Sequence, residues 1–311
     1  MSTVLLFAAA YNLLWGAFVI FFPNALFDWL GAARPNYPGI WQCVGMIVGV
    51  YGIGYACAAT APYTHWPIVL VGVLGKIFGP IGFLFSATRG EFPWAFGATI
   101  LTNDLIWWVP FTLILRGAWR AAATEQRLAI ARDTANRDAI LQETRTSTGA
   151  TLAERSHHRP LMLVFLRHTG CTFCVEAAHD LARQQAAIRD AGVELAPVLM
   201  SDAAKSDAYL RGAGLVAADF VSDPSRRLYR AFGLTRGSAM QLFGPRVWAR
   251  GVAATLRGNW VGPLDGDGLQ LGGVFVLHRG EVVFARPLTD AADRPDYAAI
   301  ARQVIQSEPL P

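Results

Sequence analysis

The chain has 311 residues, room for two domains; 53% are hydrophobic and only 16% charged. Its net charge of +4 is thinly spread and almost wholly arginine, with Lys76 and Lys205 the only lysines, and no basic stripe interleaved with aromatics occurs, which excludes a nucleic-acid partner. Four cysteines, Cys43, Cys57, Cys171 and Cys174, are too few for a secreted disulfide scaffold.

Charge divides the chain. Up to residue 115 the charged side chains are Asp28, Arg34, Lys76, Arg89, Glu91 and Asp104, with Arg116 just past the edge, whereas the remainder is ordinarily charged. In that first part, four apolar segments, about 3–22, 39–60, 67–87 and 94–115, match the roughly 20 residues that a bilayer core of about 30 Å requires. Pro23, Pro35, Pro38, Pro62, Pro67 and Pro93 fall at or near the breaks, where helices end or begin. Short connections predict an all-α four-helix transmembrane bundle over residues 1–116. The first segment lacks a basic flank and exceeds a usual signal core, so it reads as a retained helix. Four spans place both ends on one side; Arg116, Arg120 and Arg127 outweigh Arg34 and Arg89, which predicts a multi-pass protein whose water-soluble domain is cytoplasmic.

Ionisable residues within a span need a reason. Lys76 and Asp104 each lie 14 residues from a turn near Gly90, hence at equal depth in adjacent antiparallel helices, as an intramembrane polar pair that Asn103 and Asn12 could join. The pair either locks the bundle or forms a polar pocket for a quinone, lipid or proton. Trp107, Trp108, Trp41 and Trp66 suit the lining of such a pocket, and suit interfacial anchoring too. Cys43 and Cys57 read as small core residues, and the many glycines of this half allow close helix packing.

Residues 117–156 favour helix up to about 145 and then turn to Thr-Ser-Thr-Gly, which predicts a helical stalk and a flexible joint. If fully helical, its first 28 or so residues would reach on the order of 40 Å. Beyond it, in residues 157–311, a buried strand at 161–166 precedes a helix at 172–190, a strand at 193–199, a helix at 203–211, a short strand near Phe220 and a helix at 224–232. A glycine-rich stretch, 233–270, leads to strands at 273–277 and 282–285, joined by the tight turn His278-Arg-Gly-Glu281, and to a last helix at 295–306. This order, βαβα then a hairpin and a helix, is that of an α/β thioredoxin-like domain.

Cys171-Thr172-Phe173-Cys174 stands between the first of these strands and its helix. Helix N-terminal amides and the macrodipole stabilise a thiolate, and Arg167 and His168 are expected to add positive potential. Cys174, one turn on, shares a face with Cys171 and can close a redox-active disulfide with it. A zinc half-site and two merely packed cysteines are the alternatives; a tetrahedral site needs four ligands and no second cysteine pair exists, so no metal is expected.

The segment 161–181, with Phe-Leu-Arg-His-Thr-Gly-Cys-Thr-Phe-Cys-Val-Glu, the later Asp223-Pro-Ser-Arg-Arg-Leu-Tyr-Arg-Ala-Phe-Gly233, and Gly272-Gly-Val-Phe-Val276 together resemble the peroxiredoxin-like branch of the alkyl hydroperoxide reductase and thiol-specific antioxidant family, over residues 158–307. The resemblance implies thiol-based reduction of peroxides or disulfides, with Cys171 as peroxidatic cysteine, Cys174 as the second redox cysteine, a dithiol reductant such as a thioredoxin, and no cofactor. His168 stands where that family places a threonine or serine, Val164 is no proline, and no proline precedes the strand at Gly273. Arg286 is a candidate for the guanidinium that stabilises the departing oxygen. A membrane-anchored thiol-dependent oxidoreductase follows; the alternatives are a thiol-disulfide or quinone-linked electron-transfer protein, and a membrane transport or sensor protein carrying a redox switch.

Overall fold

The computed structural model describes residues 1–215, 218–258, 262 and 265–307. The chain divides into two compact units, 1–126 and 127–311.

The first unit is helical: α1 (Ser2–Phe21), the short α2 (Ala25–Trp29), α3 (Pro38–Thr60) and α4 (Trp66–Thr88), then a 3-10 turn (Trp94–Phe96), α5 (Gly97–Ile100), a π-helical turn (Leu101–Leu105) and α6 (Ile106–Ala135), which runs on into the second unit. Four stretches, Ser2–Phe21, Pro38–Thr60, Trp66–Thr88 and Trp94–Ala135, are long and apolar enough to cross a membrane. Pro38 and Pro67 open α3 and α4, where a missing N–H leaves no hydrogen bond unmade. Helices α1 and α3 pack backbone to backbone: a Cβ on Gly45 would sit 2.9 Å from the Gly16 carbonyl oxygen, and one on Gly52 2.9 Å from that of Ala9. Leu5, Ala8, Tyr55, Val69, Phe111 and Ile114 fill the core, whereas Cys43 and Cys57 are exposed rather than packed inside.

The expected Lys76–Asp104 ion pair takes a different form. The Lys76 ammonium donates to the backbone carbonyl of Asn103, and the Asp104 carboxylate lies against Gly79, 3.5 Å from where a Cβ would stand. The π-helical turn supplies the reason, because its widened backbone offers a carbonyl to the lysine. Tyr11 donates to the Asn103 side chain at 2.8 Å, and the Trp108 indole to the Lys76 carbonyl at 3.0 Å, so Asn103 joins the cluster; Asn12 is buried in α1.

The second unit contains α7 (Arg137–Glu143), α8 (Leu152–His158), β1 (Leu161–Phe165), α9 (Thr172–Asp190), β2 (Glu194–Leu199), α10 (Ala203–Gly212), β3 (Val221–Ser222), α11 (Arg227–Ala231), α12 (Ala239–Phe243), α13 (Pro245–Leu256), β4 (Gly273–His278), β5 (Glu281–Pro287) and α14 (Tyr297–Ser307). The sheet order is β3-β2-β1-β4-β5, with β1, β2 and β3 parallel and β4 and β5 antiparallel to their neighbours. Side chains alternate across β1: Met162 and Val164 join Leu181, Ile188 and Ile300 on one face, while Leu161, Leu163 and Phe165 join Tyr229, Phe232 and Phe275 on the other. With both faces covered, the strand reads as an unbroken apolar run. Arg279 and Gly280 both take positive φ, 52° and 82°, as a two-residue hairpin turn requires.

In place of a free stalk and a flexible joint, residues 127–158 belong to this unit. Ile140, Leu141 and Leu152 are buried in its core, and the Asp219 carboxylate accepts from the Ser147 and Thr148 hydroxyls and the Thr148 amide. The glycine-rich stretch likewise contains structure: Ser238 and Gln241 form a capping box for α12, and Pro245 opens α13.

Candidate active site

Cys171 is the N-cap of α9, and its carbonyl accepts from the amides of Cys174 at 2.9 Å and Val175 at 3.0 Å. Both cysteines are free thiols, buried at the end of β1. A hydrogen bond from the Cys174 thiol, then the Arg167 charge and the amides of Cys174 and Phe173, pull Cys171 below the ordinary thiol range, outweighing the burial that would raise it. The same hydrogen bond, with burial behind it, pushes Cys174 up. The pair is therefore unequal, with the readily ionised sulfur at the helix end.

Arg167 is the chief positive group. Its Nη1 lies 3.6 Å from the Cys171 sulfur, and its backbone N–H donates to the Cys174 sulfur at 3.3 Å. Nε donates to the Gln270 carbonyl at 2.9 Å and Nη2 to that of Gly268, which fix the guanidinium plane. Gln270 is held in turn, its side-chain amide donating to the carbonyls of Thr235 and Leu271, both at 3.1 Å.

Two sequence expectations fail here. His168 adds no positive charge: burial, then the neighbouring Arg167, pushes it down to about 4, so the ring is neutral near pH 7. Arg286, on β5, donates to Asp293 at 3.1 Å and does not line the cavity beside Cys171. Among the described residues, no group of three or more His, Cys, Asp or Glu side chains is arranged to hold a metal.

Hydrogen bonds tie the surroundings together. The Tyr229 hydroxyl donates to the carbonyls of Leu166 and, at 3.0 Å, Val198, tying the ends of β1 and β2 just before the cysteine loop. Asp223 accepts from the amides of Arg227 at 3.0 Å and Leu228 at 2.7 Å, which starts α11 and places Tyr229. Where a proline is missing, Gly272 passes so close to β1 that a Cβ would stand 2.1 Å from the Phe165 carbonyl oxygen.

A cavity of about 630 Å³ opens at Cys171. Arg167, His168, Cys171, Thr172 and Phe173 form one wall, and Phe243, Trp248, Val252, Thr255 and Leu256 form the other. Sequence reasoning missed this second wall, together with Gly268 and Gln270. The signal for the wall was present: Ser238-x-x-Gln241 followed by Pro245 marks two helix starts.

Residues 180–287, a span that begins past the cysteine pair, match the family profile described as AhpC/TSA antioxidant enzyme. Peroxiredoxin-like 2C of Mus musculus is 30% identical over 145 residues, covering 44% of this chain and 62% of its own. Prostamide/prostaglandin F synthase of Sus scrofa is 28% identical over 148 residues, 45% of this chain and 70% of its own. This chain thus spans less than two thirds of the mouse relative's length. Among solved structures, peroxiredoxin Q of Xanthomonas campestris aligns at 20% identity with a TM-score of 0.39, over 54% of this chain and 92% of that one. Sheet order gives the second unit a thioredoxin-like fold, and the family match and curated relatives make its sequence similar to the AhpC/TSA antioxidant enzymes and to peroxiredoxin-like proteins.

Proposed function

We propose that the protein is a membrane-anchored, thiol-dependent peroxide reductase working through a Cys171–Cys174 dithiol/disulfide cycle. The Cys171 thiolate attacks the terminal oxygen of a hydroperoxide; the O–O bond breaks, an alkoxide leaves and takes a proton, and Cys171 becomes a sulfenic acid. The Arg167 guanidinium, 3.6 Å from the sulfur, steadies first the thiolate and then the departing oxygen. The Cys174 sulfur then attacks the sulfenic sulfur, water leaves, and the disulfide forms; an external dithiol, such as a thioredoxin, returns both thiols. Placement of Cys174 one helical turn away lets this resolution proceed without unwinding α9.

The observation that carries this reading is the inequality of the two sulfurs, one beside an immobilised arginine at a helix N-terminus and the other under a backbone N–H. Anchoring is supported by the four apolar stretches, whose apolar windows are at most one third buried and so turn most of their side chains outward. In full-length protein, Cys171→Ser should abolish hydroperoxide-dependent consumption of a dithiol, and Cys174→Ser should leave a trapped sulfenic acid or mixed disulfide at Cys171. Undiminished turnover in Cys171→Ser would overturn the assignment. Hydrogen peroxide, an alkyl hydroperoxide and a protein disulfide, compared under one reductant, separate peroxide reduction from disulfide exchange.

A second reading rests on the Lys76–Asn103–Asp104 cluster beside the π-helical turn, a kind of irregularity that concentrates at functional sites. If the bundle binds a quinone that exchanges electrons with the pair, added quinone changes the Cys171–Cys174 redox state and Lys76→Ala removes the response.

A further inference from the structure

The wall of the cavity formed by α12 and α13 carries an outward apolar face with no covering element among the described residues. Met240, Phe243, Trp248, Val252 and Leu256 are each more than half exposed, Leu256 to 84%. On α13 the face is ordered by helical spacing: Val247 and Ala254 turn into the domain, and Trp248, Val252 and Leu256, four residues apart, form the adjacent stripe. Arg246 and Arg250 occupy the remaining arc and Arg257 follows its end. Arg246 pairs with Asp290 at 3.5 Å and Arg257 with Glu176 at 2.8 Å, so these two arginines tie the helix to its own domain, while the large apolar side chains of the opposite face have the composition of a helix that lies in a bilayer interface.

Two further observations select lipid over a protein partner. The same chain carries four stretches fit to span a membrane, so insertion would keep the second unit beside a bilayer at all times. The exposed stripe is also continuous with the cavity: Trp248, Val252 and Leu256 line the space that ends at the Cys171 sulfur. An aqueous peroxide needs no such entrance, whereas an acyl chain lying in the interface would meet apolar side chains from the lipid to the cysteine.

We infer that α12 and α13 seat on a phospholipid surface and open the Cys171 cavity toward it, so that hydroperoxides carried on acyl chains reach the thiolate from the bilayer. The substrate clause rests on the peroxide reading above; the docking clause does not. The bond changes are those already given, with the alkoxide leaving as an acyl-chain alcohol.

The full chain, reconstituted in vesicles of phosphatidylcholine and phosphatidylglycerol, tests both. A benzoylphenylalanine photocrosslinker at position 252 or 256 should form adducts with phospholipid, and one at position 246 should form few. Adducts at 252 and 256 with a second copy of the chain, or no lipid adducts there, would overturn the docking. In the same vesicles, Leu256→Glu should lower turnover of phosphatidylcholine hydroperoxide relative to hydrogen peroxide by roughly tenfold; an unchanged ratio would overturn the entrance. Lipid adducts without reduction of either peroxide would leave the surface standing and remove the peroxide reading.

Discussion

At the scale of single residues, the chemistry depends on which charges survive burial. Arg167 brings a guanidinium whose Nε and Nη2 are held by two carbonyls while Nη1 faces the Cys171 sulfur. His168, next to it, loses the competition with burial and with Arg167 and stays neutral until about pH 4. The two therefore separate by experiment. Iodoacetamide alkylation of Cys171 follows its thiolate fraction, rising as pH climbs through the thiol's depressed value and falling as protons return below it. Arg167→Gln removes a positive charge that favours the thiolate, so the inflection should move to higher pH, by about one unit. His168→Gln removes a neutral ring and should leave the inflection in place. An inflection that moves with His168 would show an imidazolium at the site. Neighbouring positions in sequence gave both residues equal standing as activators; what distinguishes them is the burial of the His168 ring and the carbonyls that hold the Arg167 guanidinium, and those carbonyls come from residues about a hundred positions away, Gly268 and Gln270.

At the scale of elements, local signals were legible and long-range ones were not. The strand at 161–165, the helix beginning at Thr172 and the cysteine at its N-cap follow from an apolar run and the motif that ends it. The apparent joint at Thr146-Ser-Thr-Gly149 was misleading, because its order comes from Asp219, some seventy residues on. That carboxyl sits below the usual carboxylate range: burial raises it, but hydrogen bonds from Ser147, Thr146 and Thr148 outweigh that. Since its folded value is depressed, the stability it contributes is present above its unfolded pKa and is lost as pH falls through the folded one. Asp219→Ala leaves the loop hydroxyls and amide without their acceptor. It should destabilise the second unit by about 1–3 kcal/mol, seen in chemical unfolding at neutral pH, with a smaller difference from wild type in acid. A difference independent of pH would mean that packing, not the carboxylate, holds the loop. Residues 233–270 taught the converse, where glycine content masked a capping box that does start a helix.

At the scale of the whole molecule, two units of opposite composition share one chain, and the question is whether the polar cluster in the first serves the second. Depth counting from the Gly90 turn put Lys76 and Asp104 near each other but could not foresee the π-helical turn, which gives Lys76 a backbone partner. The lysine therefore has a structural task, donating to the Asn103 carbonyl in an apolar helix bundle, where such hydrogen bonds stabilise by about 1 kcal/mol. If that task is its whole role, Lys76→Ala in reconstituted full-length protein should lower the thermal stability of the helical unit while the alkylation rate of Cys171 and the turnover of hydrogen peroxide stay at wild-type values. Asp104→Asn, which removes charge but keeps shape against Gly79, should then be nearly neutral in both measurements. A loss of turnover in either variant, with the bundle still folded, would instead link the polar cluster of the helical unit to the cysteines and favour the electron-transfer reading, because the peroxide chemistry proposed at Cys171 requires no charge among those helices.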